Sequence, residues 1–133
     1  MSNVLPHRAT TPLSHLPPPT PDDAIKFAYW VPNVSGGLVV SKIEQRTHWG
    51  IDYNRKLAQI AERSGFEYAL SQVRYMASYG ADQQHESTSF SLALLLATGR
   101  LTPIAAVHPG LWQPGVLAKL VATADLFRAA VSP

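Results

Sequence analysis

Hydrophobic and polar positions alternate along the chain so that short β-rich runs and helical stripes follow one another. The β-rich runs predict three buried strands, at residues 26–31, 66–70 and 104–107. Apolar residues at helical spacing predict three helices, at residues 52–64, at 86–98 and from Pro114 onward. This β-α-β-α-β-α order predicts parallel strands joined by right-handed crossovers.

The same pattern predicts how the helices are buried. In the first helix, Leu57, Ile60 and Ala61 form one apolar stripe. Asp52 can cap the start of that helix, and Gly65 is a typical stop after its end. The second helix is apolar over most of its circumference, so it should be buried on more than one side.

The connections between these elements are unequal in length. Helix-to-strand links are short, whereas the strand-to-helix links are long, at residues 32–51, 71–85 and 108–113. In parallel α/β folds the active site lies at the carboxyl ends of the strands, on the strand-to-helix loops. The long loops therefore favour a site at that end, although they could also be mere insertions.

Proline dominates the start of the chain. Six of the eleven prolines fall in the first 21 residues: Pro6, Pro12, Pro17, Pro18, Pro19 and Pro21. Proline removes a backbone donor and fixes φ, so this segment cannot form a helix interior or a central strand. The run at residues 16–21 is either a polyproline docking peptide or part of a disordered leader, and we expect residues 1–24 to be a disordered leader.

Composition and charge narrow the class of protein. The chain has 133 residues, 46% hydrophobic and 15% charged, which is typical of one globular body. It has no cysteine, which excludes disulfides, thiolate metal sites and cysteine nucleophiles. The net charge of +2 and the lack of a basic block argue against a nucleic-acid partner. No apolar run is long enough for a membrane span or a signal peptide, so we expect a cytoplasmic protein.

No short motif alone identifies the chemistry. Neither usual phosphate-binding glycine motif occurs, and the histidines have no metal-ligand spacing, so we expect no metal site. His85 and His108 each follow a predicted strand at the site end, where they could donate a proton or a hydrogen bond, or could simply cap and pack. Glu86 could accept a proton or orient a neighbour, or could be a first-turn acid that interacts with the helix dipole.

A series of stretches, taken in order, resembles the luciferase-like flavin-dependent monooxygenases. These stretches are FAYWVPNVSGG (residues 27–37), THWGIDYNR (47–55), AERSGFEYALS (61–71), HES (85–87), IAAVHPG (104–110), LAK (117–119) and ATAD (122–125). Within that family the chain is most similar to the dimethyl sulfone monooxygenases, which are relatives of the alkanesulfonate monooxygenases. The resemblance covers residues 25–125 and is specific because loops match as well as strands.

The resemblance implies a TIM (β/α)8 barrel, of which this chain would hold the first three β/α units. It also implies reduced FMN supplied by a separate flavin reductase, molecular oxygen, and a small organosulfur substrate. For dimethyl sulfone the expected products are methanesulfinate and formaldehyde. The family further implies a homo-oligomer, with no nucleic-acid or membrane partner.

The resemblance assigns site residues by position. It implies that the flavin packs near the end of the third strand, where the family often has a cis peptide, at Ala106, Val107 and His108. It places His85 where sulfonate-oxidising relatives have a polar or thiol side chain near the flavin, and we predict catalytic roles for His85 and the adjacent Glu86. It places the wall of the substrate pocket at four residues: Tyr29, Trp30, Asn33 and Trp49.

The length of the chain is the main departure from this family. A full barrel needs roughly 250 residues, and its phosphate site usually follows strands seven and eight. We therefore expect a truncated barrel at residues 25–125, a divergent end at 126–133, and little or no activity by itself. The alternative is a non-enzymatic truncated product or a small α/β interaction module. In either case one sheet face would be open, with Phe27 or Tyr29 and Ile104 or Ala106 exposed on it.

Overall fold

The computed structural model of this chain describes residues 24–37, 43–75 and 80–131. The leader predicted for residues 1–24 lies outside this part, apart from Ala24. The elements in order are β1 (Ala28–Val31), α1 (Ile51–Arg63), β2 (Tyr68–Ser71), α2 (Ser87–Leu96), β3 (Thr102–Ala105), a 3-10 turn (Pro109–Leu111) and α3 (Pro114–Val131). The predicted alternation of strands and helices is confirmed.

The three strands of the described part form one parallel sheet in the order β1-β2-β3. Val31, Ser71 and Ala105 are register partners at the carboxyl ends of the strands. The prediction of a parallel sheet is therefore confirmed. The third strand begins and ends two residues earlier than predicted, because pairing with Tyr68 starts at Thr102. The expected end of that strand is instead a loop that begins with Ala106 and Val107.

All three helices lie on one face of the sheet, and the other face is open. Tyr29 on β1, Ala69 on β2 and Pro103 on β3 share the helix side, whereas the next row, Trp30, Leu70 and Ile104, shares the open side. Trp30 is 54% exposed and Ile104 is 43% exposed, but Val31 is fully buried. Exposure of Ile104 was expected. The expectation that Tyr29 lies on the same open face as Ile104 was wrong, because the strand register places Tyr29 on the helix side of the sheet and Ile104 on the open side.

The core lies between the sheet and the first two helices. Its buried members are Val31, Ala58, Ala69, Phe90, Leu94 and Leu101, with Tyr29 and Phe66 packed against them. On α1 the buried residues are Asn54, Ala58 and Ala61, whereas Ile60 is 51% exposed. The predicted stripe is therefore right for Ala61 and wrong for Ile60, because the face that meets the sheet follows the spacing of Asn54, Ala58 and Ala61.

The helix ends explain two further differences. Helix α1 begins after Gly50, which has no side chain to cap it, and Asp52 lies within the first turn, where it forms an ion pair with Arg55 at 3.1 Å. The prediction of an Asp52 cap was therefore wrong. Pro114 begins α3 as predicted, and that helix continues to Val131. No residue of α3 is fully buried, although Arg128 donates to the carbonyl oxygen of Leu101 at 2.5 Å.

Helix α2 is the most enclosed of the three. It packs on β2 and β3, and it contacts α1 on one side and α3 on the other. Phe90 and Leu94 are buried, as are Ser87, Thr88 and Ser91. The prediction that this helix is buried on more than one side is confirmed. None of the helices in the described ranges is both long and apolar enough to cross a membrane.

Candidate functional site

A cleft lies at the carboxyl ends of the strands, where the long loops meet. Its volume is about 460 Å3, and it is lined by Trp49, Arg74, Tyr75, Ala81, Asp82, Gln83, Gln84 and His85. The lining comes from two loops: Trp49 lies in the loop between β1 and α1, and the other residues lie in the loop between β2 and α2. Two of the predicted site residues, Trp49 and His85, therefore meet in one cleft.

The loop that carries His85 is held against the loop after β1. Asn33 is fully buried, and its backbone carbonyl accepts from the backbone N–H of His85 at 3.0 Å. Val34 forms an antiparallel bridge with Gln84, and the Ser35 hydroxyl oxygen accepts from the backbone N–H of Gln83 at 2.8 Å. These contacts fix the segment that precedes α2.

Asn33 also joins this loop to the end of β2. Its side-chain Nδ2 donates to the carbonyl oxygen of Gln72 at 3.0 Å and lies 3.5 Å from that of His85. The Nε2 of Gln84 donates to the same Gln72 oxygen at 2.9 Å. Asn33 thus organises the backbone of the cleft, whereas the family resemblance implied only a place in the wall of the pocket.

His85 is enclosed between two aromatic rings. Its ring stacks on Phe90 with centroids 4.6 Å apart, and the Trp49 ring lies 4.7 Å away on a tilt of 35°. Burial lowers the pKa of His85, and a hydrogen bond to the Trp49 backbone opposes this without cancelling it. Its Nε2 is buried and has no hydrogen-bond partner among the described residues. The imidazole is therefore mostly neutral near pH 7, and Nε2 is a buried nitrogen whose hydrogen-bonding capacity is unused among the described residues.

Glu86 is the N-cap of α2. Its carboxylate accepts from the backbone N–H groups of Thr88 and Ser89, both at 2.8 Å, and from the Thr88 hydroxyl at 2.6 Å. Burial raises the pKa of Glu86, but these hydrogen bonds outweigh it and hold the pKa below its ordinary value. The geometry favours the capping interpretation, and a catalytic role for Glu86 stays a prediction.

The end of β3 reaches the same edge of the sheet. The Ala106 N–H donates to the Ser71 carbonyl at 3.1 Å, and the Ser87 hydroxyl donates to the Ala106 carbonyl at 2.5 Å. His108 is exposed and its ring lies 5.8 Å from that of Tyr75 at the cleft. All peptide bonds described are trans, including that between Ala106 and Val107.

Tyr29 and Trp30 are separated by the sheet. Tyr29 packs edge-on against Phe66 with ring centroids 6.1 Å apart, and burial raises the pKa of its phenol to about 12. Trp30 faces the open side of the sheet, in the row that contains Leu70 and Ile104. The predicted pocket wall therefore divides into a core residue and a surface residue.

The sequence interpretation missed Asn54. This residue lies on α1, is fully buried, and donates through Nδ2 to the Pro32 carbonyl at 3.0 Å. The same Nδ2 lies 3.2 Å from the His48 carbonyl oxygen and 3.1 Å from that of Gly50. An asparagine on the core-facing side of a helix is the signal that could have identified it.

No group of three or more histidine, aspartate or glutamate residues in the described ranges could hold a metal ion. The side chains that the cleft offers for chemistry are His85, its aromatic neighbours and the polar groups that line the rim.

Comparison with known proteins agrees with this geometry. Residues 25–128 match the luciferase-like monooxygenase family. The chain is 74% identical over 103 residues to an FMNH2-dependent dimethylsulfone monooxygenase of Pseudomonas putida. It is 71% identical over 102 residues to the protein of the same description in Pseudomonas fluorescens (strain Pf0-1). Each match covers 77% of this chain and 28% of the relative, so the chain spans less than a third of their length.

The family match covers most of the chain and includes both the sheet and the loops that form the cleft. The chain therefore belongs to the luciferase-like monooxygenase family.

Proposed function

We propose that this chain is the opening segment of a (β/α)8-barrel monooxygenase that uses reduced FMN and oxygen to oxidise dimethyl sulfone. The observation that carries the proposal is the high identity, 74% and 71%, to two proteins that bear this description. A three-stranded parallel sheet with helices on one face is what three β/α units of such a barrel require. Because the chain spans only 28% of each relative, the activity is proposed for a protein that contains this segment within a whole barrel.

The described residues fit the ring end of a flavin. A flavin ring is flat, largely apolar, and edged with groups that donate and accept hydrogen bonds. The end of β3 offers the small, half-buried Ala106 and Val107, and the cleft offers the unpartnered Nε2 of His85. We propose that Ala106, Val107 and His108 contact the flavin ring. The phosphate of FMN would be bound by loops that follow later strands of the barrel.

The reaction can be balanced for dimethyl sulfone. Bound reduced FMN would supply two electrons and two hydrogens, so that one oxygen atom of O2 enters a methyl group and the other leaves as water. The oxidised carbon then separates from sulfur as formaldehyde, and methanesulfinate remains. A separate flavin reductase would regenerate the reduced flavin.

The residues of the cleft would bind the substrate and move protons. Neutral His85 would exchange a proton through Nε2, because the hydrogen bond to the Trp49 backbone occupies the other side of the ring. Trp49 would exclude water from that nitrogen. Arg74 and Tyr75 line the cleft and bring N–H and O–H donors that suit the two sulfone oxygens. Asn33 belongs to the proposal as the support of the pocket. Trp30 lies on the open face of the sheet, so it would form part of the pocket wall only within a whole barrel, whose interior that face would line.

A segment exchange tests this function. Residues 25–128 would replace the matching segment of the Pseudomonas putida relative, and formaldehyde release from dimethyl sulfone would be measured with FMN and a flavin reductase. We expect the chimera to retain sulfone-dependent activity. His85→Phe keeps the aromatic stack but removes both nitrogens, so it should lower kcat/KM by roughly 100-fold.

The control for this experiment is flavin binding by each chimera. A chimera that folds and binds reduced FMN but yields no formaldehyde would refute the proposal and favour the α/β interaction module. Full activity in His85→Phe would remove His85 from the chemistry but leave the substrate assignment intact. The homo-oligomer and the cytoplasmic location expected for the family remain part of the proposal.

A further inference from the structure

Asn54 is the polar member of an otherwise apolar surface. It shares the core-facing side of α1 with Ala58 and Ala61, and all three are buried. A buried amide is costly unless it forms hydrogen bonds, about 1–3 kcal/mol in proteins. Asn54 meets this requirement at Nδ2, which has three carbonyl oxygens within 3.2 Å, whereas its buried Oδ1 has no partner among the described residues.

The three carbonyl oxygens share a position in the fold. Those of His48 and Gly50 belong to the residues on either side of Trp49. That of Pro32 belongs to the residue after β1. One side chain therefore joins the backbone around Trp49 to the end of the first strand.

Local helix geometry does not require these contacts. The backbone N–H of Asn54 already donates to the Gly50 carbonyl at 3.2 Å, which is the first hydrogen bond of α1. An alanine at this position would keep that bond and would resemble the rest of the stripe. The side-chain contacts instead serve the loop, because all three carbonyls belong to residues that precede the helix.

We propose that Asn54 is a positioning residue that holds Trp49 against His85. On one side of the cleft, Asn54 fixes the loop that carries Trp49. On the other side, Asn33 fixes the backbone of His85 through its carbonyl oxygen and its amide. The bond from Asn54 to Pro32 connects these two supports, since Pro32 precedes Asn33 in the chain. Its importance for catalysis rests on the proposed function, but the positioning itself does not.

The test uses the full 133-residue chain and NMR titration of its histidines. Asn54→Leu keeps the approximate size of the side chain and removes its N–H donors. Release of the Trp49 cover relieves the burial that lowers the pKa of His85 and also removes the hydrogen bond to the Trp49 backbone that raises it. Because burial is the larger of the two causes, the pKa of His85 should rise toward the ordinary value of about 6.5.

Gln59→Leu is the matched control. Gln59 lies on the same helix and donates to the carbonyl oxygen of Ala97 at 3.1 Å, away from the cleft. Both variants should lower the melting temperature, but only Asn54→Leu should move the His85 pKa. An equal change in both variants, or no change in a folded Asn54→Leu, would overturn the proposal.

Two further measurements keep the test decisive. Asn54→Ser retains one donor and should give a smaller change of the same sign if Asn54→Leu does not fold. In the unmutated chain, the indole signals of Trp49 should titrate together with His85, and their independence would contradict the proposal.

In the chimera, Asn54→Leu should lower kcat by roughly 10- to 100-fold. Failure of the sulfone assay would leave the NMR outcome unaffected, so the two proposals fail separately.

Discussion

Replacement of Glu86 by alanine tests whether its carboxylate is a structural cap. The change removes acceptors from two backbone N–H groups and from the Thr88 hydroxyl. Loss of an N-cap costs about 1 kcal/mol, and loss of a negative charge at a helix start costs about 0.3–1 kcal/mol. Thr88 is only 6% exposed, so its hydroxyl also loses a partner in a poorly solvated place. We expect Glu86→Ala to lower the free energy of unfolding by about 2 kcal/mol.

Urea unfolding followed by far-UV circular dichroism measures this loss, with a midpoint shift of about 1 M. Glu67→Ala is the control, because Glu67 is exposed and only forms a surface ion pair with Lys26 at 4.0 Å. That variant should cost less than about 0.5 kcal/mol. A Glu86→Ala variant that is no less stable than Glu67→Ala would refute the capping argument.

The pH dependence of this effect follows from the lowered pKa of Glu86. A carboxyl whose pKa is lower in the folded chain than in the unfolded chain stabilises the folded chain at pH values above its unfolded pKa of about 4.3. This stabilisation is lost as the pH falls through the pKa that the carboxyl has in the folded chain. The difference between Glu86→Ala and the unmutated chain should therefore shrink below about pH 4. Glu86→Ser keeps a cap without a carboxylate, so it should restore stability, and its activity in the chimera separates capping from proton transfer.

Two other changes probe the core and a turn at the cleft. Leu94→Ala, at a fully buried position, should cost about 2–5 kcal/mol in urea unfolding, whereas Leu96→Ala, at a 48% exposed position, should cost much less. Equal losses would contradict the assignment of the core. Gly36 and Gly65 both have positive φ, but a Cβ on Gly36 would collide with the Gly80 carbonyl oxygen, whereas Gly65 has open space. Gly36→Ala should therefore be the more destabilising of the two in thermal unfolding, and the reverse order would contradict this geometry.

The order of elements could be predicted because glycine and proline separate the hydrophobic runs. The parallel sheet, the start of α3 at Pro114 and the enclosure of α2 all followed from those runs. Exact strand ends could not be predicted, since they depend on the partner strand. Thr102 belongs to β3 because Tyr68 pairs with it, although the apolar run begins only at Ile104.

The site was predictable in part for a related reason. His85 could be found because it follows a strand at the carboxyl edge of a parallel sheet. Asn54 was missed, because a polar residue in an amphipathic helix is ordinarily expected on the solvent side, and the predicted stripe did not include its position. Its role depends on carbonyl oxygens from Pro32 and His48, which the linear sequence does not bring together. The opposite orientations of Tyr29 and Trp30 likewise depend on the sheet register.

The parallel sheet also determines the order in which the chain can fold. The partners Ala28 and Tyr68 are 40 residues apart, and Tyr68 and Thr102 are 34 residues apart. No ladder bond can form before a long loop has closed, whereas a helix can form within about a microsecond. Core contacts between the helices and the central strand must therefore help to bring the paired strands together. Ala58 on α1 and Ala69 on β2, which belong to the same core cluster, are an example. Folding speed should consequently depend on these long-range core contacts more than on the propensity of any single helix.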